Sequence, residues 1–268
     1  MGKRNLDIAL MILRNDRLSD YRSQLQFALS HGYRLGSLSD FLTFKSKEPY
    51  VILRHDVDVR DLGVKQMLDV EKKLGIASSW YFRWSTAKID TIRDIKNAGG
   101  EVGLHYETLA DVCLRYGIQN REQITPDLIE ETRKELIEEI IQFRQKYQVS
   151  CRTIASHGHP INRKIRMANN EIIDQKLCES AGINLEAYDQ ALLKKIDRYI
   201  SDTTPVLNFG WAYGMSLVEA INSGYQLIYF LSHPNHWFFR AREKALLMMK
   251  WIKRGVRIED KKFRATFR

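Results

Sequence analysis

Apolar runs of four to six residues recur along the chain, and between them apolar positions return at helical spacing. The runs predict strands at residues 50–53, 79–83, 101–104, 151–155, 183–187, 206–209 and 226–231. The intervening stretches predict helices at 62–74, 89–98, 127–147, 170–181, 215–222 and 239–254. In the longest, Thr125 stands as a cap and Pro126 at the first helical position. Its Leu128, Ile129, Leu136, Ile137, Ile140 and Ile141 form a stripe that predicts the core-facing side. Seven strands alternating with helices read as parallel β/α units, and their number favours a closed or nearly closed barrel over an open sheet. Neither a GxGxxG fingerprint nor a P-loop is present. One domain over 1–268 is the economical reading, with 1–48 as an N-terminal helical addition in a lid or edge role. The apolar stretch 6–13 carries an acid and no small-residue cleavage site, so it reads as a first strand or helix and not as a signal peptide.

Where the predicted strands end, the chemistry begins. The run 50–53 leads into Arg54-His55-Asp56-Val57-Asp58. Side chains alternate across a strand, so Arg54, Asp56 and Asp58 leave on one side and His55 on the other. Two carboxylates held together repel unless a cation or a shared proton offsets them. Arg54 is placed to pair with Asp56, and His55 reads as a structural residue. Histidines follow further runs: His105 after 101–104, His157 and His159 after 151–155, His233 after 226–231. In a β/α barrel the C-terminal ends of the strands converge on one face. Two Asp and three His brought together there are what a catalytic divalent metal with a general base and a general acid requires. Zinc suits a set of imidazole and carboxylate that keeps one position for water. Glu107, close after His105, is placed to orient a ligand from behind. Aromatic residues also lie near strand ends, where each reads either as core packing or as a stacking surface for a ligand, and Trp84 and Trp211 are the best stacking candidates.

Composition narrows the setting. Hydrophobic residues make up 44% and charged residues 28%, as in an ordinary soluble protein. Three scattered cysteines without a CxxC pair read as reduced structural thiols in the cytoplasm. The net charge of +9 admits nucleic acid, an anionic membrane surface or an anionic substrate. The basic residues form no single block and no nucleic-acid-binding motif is present, so nucleic acid is set aside. The basic, aromatic stretch 237–254 reads as a helix on the barrel wall; its sharper reading is a peripheral contact at the inner face of a membrane.

In order, the motifs Arg-His-Asp-Val-Asp, Glu-Val-Gly-Leu-His-Tyr, Ser-His-Gly and Leu-Ser-His-Pro-x-x-Trp resemble those of the polysaccharide deacetylase family, with its NodB-homology domain, over about residues 50–237. The resemblance implies a distorted (β/α)7 barrel, one divalent metal ion, commonly zinc, and hydrolysis of an N-acyl group, mostly acetyl, on an amino sugar. It implies Asp56 as catalytic base, Asp58 and His105 as metal ligands, and His233 as the acid that protonates the leaving amine. The sequence departs from the family pattern where a second metal histidine would fall, because Leu109 stands there. His157 is the inferred replacement ligand; His159 is the substitute candidate and a further candidate for substrate contact. Three readings remain open. The first is an N-deacetylase acting on a glycan precursor, nucleotide- or lipid-linked. The second is an N-deformylase or another metal-dependent amidase or phosphoesterase on a barrel. The third is a non-catalytic carbohydrate- or membrane-binding module.

Overall fold

The computed structural model describes residues 17–59, 62–203 and 211–238. The strands are β1 (Arg34–Gly36), β2 (Tyr50–Val57), β3 (Ser79–Phe82), β4 (Glu101–Tyr106), β5 (Thr153–Ser156), β6 (Leu185–Glu186), β7 (Arg198–Ser201) and β8 (Leu227–Ser232). The helices are α1 (Leu18–Ser30), α2 (Leu38–Thr43), α3 (Val64–Leu74), α4 (Ile89–Asn97), α5 (Thr108–Arg115), α6 (Pro126–Tyr147), α7 (Pro160–Ile165), α8 (Gln175–Ala181), α9 (Gln190–Leu193) and α10 (Leu217–Asn222).

Every strand pairing is parallel, in the order β6-β5-β4-β3-β2-β8-β7, with β1 beside the start of β2. Parallel neighbours need a crossover, and the helices supply it. Since β8 returns to lie beside β2, the order is that of a barrel, and among the described residues it stays open between β6 and β7. Inside the barrel the hydroxyl of Tyr229, on β8, donates at 3.2 Å to the carbonyl of Ala187, which follows β6. This is the half-open form of the (β/α)7 barrel that the sequence predicted.

Alternation along β2 separates two cores. Tyr50 and Ile52 face the lumen with Tyr81, Ala155 and Tyr229. Val51, Leu53 and Val57 face the surrounding helices. The lumen is packed solid: a Cβ on Gly103 would lie 2.6 Å from the Tyr81 ring. Arg54 also points inward, fully buried, its guanidinium 4.3 Å from the Tyr188 ring and 5.3 Å from that of Tyr81. His55 points outward into a buried network. Its Nδ1 lies 2.7 Å from the Ser232 hydroxyl and its Nε2 2.6 Å from Glu71, which also accepts from Tyr21 at 2.5 Å and Ser78 at 2.6 Å.

Several elements differ from expectation for local reasons. The predicted strand over 151–155 starts at Thr153 because Cys151 is left-handed, φ 42°. The predicted helix over 170–181 splits into a 3-10 turn, Asn169–Ile172, and α8, which starts where the Asp174 side chain accepts from Leu177 N–H. On α6, Thr132, Leu136, Ile140, Phe143 and Tyr147 are buried, whereas Ile141 is 41% exposed and Leu128, Ile129 and Ile137 only flank the core. The described part of 1–48 is not only helical, since β1 joins the main sheet and α1 packs on α3 and α10. The predicted strand 206–209, the helix 239–254 and the apolar stretch 6–13 lie outside the described residues. No described helix is long and apolar enough to cross a membrane. Cys113 and Cys151 are buried, Cys178 is half-buried, and all three are free thiols.

Candidate active site

Strand ends bring the site together. Strand β2 runs four residues past the apolar run, through the polar residues to Val57, so Asp56 is a strand residue and Asp58 follows at the rim. Strand β4 likewise extends to Tyr106 and carries His105. His157 follows β5, with its N–H donating to the Tyr106 carbonyl at 2.9 Å and its carbonyl accepting from Asn169 Nδ2 at 2.5 Å. His233 follows β8 and precedes the short 3-10 helix Pro234–His236.

Asp58, His105 and His157 place one ligand atom each within 4.8 Å of the others. Asp58 Oδ1 lies 3.1 Å from His105 Nε2 and 3.8 Å from His157 Nε2. What stands behind each ring fixes its tautomer. His105 Nδ1 lies 2.9 Å from the Ala155 carbonyl, which accepts only, so in the neutral ring Nε2 carries the lone pair. His157 Nδ1 lies 2.8 Å from Glu107 Oε1. Burial would raise the Glu107 carboxyl, but the His157 and Arg83 contacts outweigh it and hold the pKa down at about 2. Glu107 therefore accepts, and His157 Nε2 is also free to ligate. Arg83 clamps the other Glu107 oxygen from Nε at 2.8 Å and donates to the Asp58 carbonyl at 3.1 Å.

Three acceptor atoms thus face one another, and Asp58 Oδ1 is buried without a hydrogen-bond partner. Such a pocket calls for a shared proton or a cation. Burial alone would raise the Asp58 carboxyl; the His105, His233 and His157 imidazoles reverse this and hold it well below the carboxylate range. Burial lowers the His105 pKa, and Asp56 and Asp58 more than offset it. A cation attracted by the same carboxylates takes the neutral imidazole and so competes with a proton there. Two imidazole nitrogens, one carboxylate oxygen and hydrogen-bonded outer partners fit a borderline divalent ion such as zinc.

On one side stands Asp56, 2% exposed, gripped by Arg54 through Nε at 2.8 Å and Nη2 at 2.7 Å. Its Oδ2 is 3.4 Å from His105 Nε2. On the other side His233 Nε2 is 3.7 Å from Asp58 Oδ2. His233 Nδ1 lies 2.6 Å from Asp202 Oδ1. Burial works against a charged His233, but Asp202 outweighs it and raises the pKa to about 9. This ring is therefore an imidazolium at neutral pH, with Nε2–H turned toward the site. Asp202, His233 and His236 form a second group with metal-ligand atoms close together. The 2.6 Å separation there is that of a charge-assisted hydrogen bond.

The structure thus brings Asp56, Asp58, His105, His157 and His233 together. His159 is set apart as the cap of α7, its Nδ1 accepting from Ile161 N–H at 3.2 Å. The Trp84 ring packs edge-on against Phe143, centroids 5.5 Å apart, with Lys146 Nζ 5.5 Å from its centroid. The Trp211 ring leans on Phe230 at 5.5 Å and Trp237 at 6.0 Å. Both rings are partly occupied by core neighbours. Sequence reasoning passed over Asp202 and Arg83. Asp202 follows β7, whose Arg-Tyr-Ile-Ser lacks an apolar run, and Arg83 closes the predicted strand 79–83 with no motif to mark it.

No protein-family model matches the chain, and no curated protein matches it. Solved structures do resemble it. A CE4 family pseudoenzyme from Bacillus anthracis is 14% identical, with TM-score 0.42, covering 78% of this chain and 62% of that one. The chitin deacetylase of the fungal pathogen Colletotrichum lindemuthianum is 15% identical, TM-score 0.38, with 83% and 84% covered. A family 4 carbohydrate esterase from Bacillus anthracis is 10% identical, TM-score 0.40, with 86% of each chain covered. The chain thus spans less than two thirds of the pseudoenzyme's length.

Proposed function

We propose that this protein is a metal-dependent hydrolase that removes an N-acyl group, acetyl in the first instance, from an amino sugar of a glycan precursor. The observation that carries the reading is the meeting of three acceptor atoms, from Asp58, His105 and His157, between a buried carboxylate and an imidazolium. Those three residues would hold the ion. When bound, a divalent ion there supplies Lewis acidity to an acyl carbonyl and to a water. Asp56 then takes a proton from that water, and its bidentate pair with Arg54 fixes the carboxylate in the required direction. His233 holds a proton on Nε2 and donates it to the departing amine nitrogen. One group accepts and the other donates because their surroundings differ, with a guanidinium against Asp56 and a carboxylate against His233.

The amino-sugar substrate comes from the motif resemblance; chitin is named for one structural neighbour. A nucleotide- or lipid-linked carrier belongs to the same proposal and rests on the +9 charge, as does a peripheral membrane contact. The test is acyl release by the zinc-loaded protein. N-acetylated and N-formylated amino sugars are offered free, nucleotide-linked and lipid-linked, beside a phosphodiester. Acetate release that stops on chelation and resumes with zinc is the expected outcome. Phosphodiester cleavage without acyl release would move the protein to another reaction class, and no turnover of any substrate would favour a binding module.

A further inference from the structure

Trp237 is fully buried, yet its indole N–H does not sit in hydrocarbon. It donates to Asp202 Oδ2 at 2.7 Å. The His233 backbone N–H donates to the same oxygen at 2.9 Å. A carboxylate at a strand end turns about two soft torsions. Two donors on one oxygen, one from the backbone and one from a large ring, decide where the other oxygen points. That other oxygen, Oδ1, receives His233 Nδ1 at 2.6 Å, with His236 Nδ1 at 3.1 Å.

The indole is itself held in place. Its ring lies 5.4 Å from Tyr21 and 6.0 Å from Trp211, with the Arg17 guanidinium 4.5 Å from its centroid. The Arg17 N–H donates to the Trp237 carbonyl at 2.8 Å. On the far side of the turn, a Cβ on Gly63 would collide with the Pro234 carbonyl. So the residues flanking α1 and α3 pin the loop that carries both His233 and Trp237.

We propose that Trp237 is a positioning residue: its indole N–H orients the Asp202 carboxylate, which in turn holds the His233 ring with Nε2–H aimed at Asp58. The proposal rests on the proton-donor role given to His233 above. Phenylalanine at this position fills most of the space and donates nothing. Asp202 then keeps one donor on Oδ2 and can turn, and the imidazole loses its fixed direction.

The test is proton NMR of the zinc-free protein without substrate. A proton in a short imidazole–carboxylate bond resonates far downfield and exchanges slowly. The His233 Nδ1–H signal is expected in the wild type and absent in Asp202→Asn, which assigns it. In Trp237→Phe it should move upfield or vanish into exchange with water. In Phe143→Leu, a core change on α6 that lowers stability elsewhere, it should stay. A signal unmoved in Trp237→Phe overturns the proposal. Should that variant fail to fold, the Trp237 indole N–H is read in Asp202→Asn. An upfield move with faster exchange supports the proposal and an unchanged resonance overturns it. The readout needs no turnover. A shifted signal in a protein that releases no acyl group would leave the Trp237 role standing and remove only the proton-donor reading.

Discussion

Asp56 and His233 flank Asp58 from opposite sides, and their partners assign them opposite tasks. Arg54 grips the Asp56 carboxylate through two N–H groups, and Asp202 raises the His233 pKa and so favours its imidazolium. The expected result is that Asp56→Asn and His233→Ala each keep fold and metal yet lose roughly 10²–10⁴-fold in turnover. Acyl-release kinetics beside metal analysis check it, and near-wild-type turnover in either variant would contradict the role. His159 separates from His157 at this scale as well. Because it caps α7, His159→Ala should cost about 0.5–2 kcal/mol in urea unfolding and retain the metal; metal loss would place the ligand two residues later. Most of these residues were legible in the sequence, since alternation along β2 sorts Arg54, Asp56 and Asp58 from His55. Asp202 was not, because nothing in Arg-Tyr-Ile-Ser marks a buried strand whose next residue is an acid.

Strand β2 serves two faces. Its lumen side ends in Asp56, and its outer side carries His55 into the network with Glu71, Tyr21, Ser78 and Ser232, which ties α1, α3 and β8 together. Glu71 is fully buried and is the acceptor for three of these groups. Removing it leaves buried donors without partners, so Glu71→Ala should lower unfolding stability by about 3–5 kcal/mol. Urea titration measures this, and a loss under about 1 kcal/mol would show that the network adapts. Elements with long apolar runs were legible from pattern alone, as β2, β4, β8 and α6 show. The short strands β1 and β7 were not, since pairing with a neighbour holds a strand of three or four residues that its own sequence does not announce. On α6 the core-facing stripe is narrower than the predicted one, because Phe143 and Tyr147 take the core contact that would otherwise fall to Ile141.

At the scale of the molecule, the barrel keeps several carboxyls in poorly solvated places. Glu139, on α6 beside Thr108 of α5, has its pKa raised to about 7 by burial, with Glu135 and Asp111 adding to the effect. Burial likewise raises Glu186 to about 6. A folded-state pKa above the unfolded value of 4.5 means that the neutral acid suits the fold. This contribution is complete below pH 4.5 and is lost as pH rises through about 7. Glu139→Gln should therefore gain Tm over wild type at about pH 8 and gain little or none at about pH 5. An equal change at both pH values would contradict the assignment. The barrel order was legible from the rhythm of strands and helices. The opening between β6 and β7 was not, because it depends on which edges fail to meet.

The central claim is that one divalent ion belongs to Asp58, His105 and His157. The most direct measurement is elemental analysis of the purified wild type and of Asp58→Ala, His105→Ala, His157→Ala and His159→Ala, each dialysed against the same zinc solution. About one equivalent in the wild type and in His159→Ala, with a large loss in the other three, is the predicted result. Full retention of zinc by both His105→Ala and His157→Ala would contradict the account.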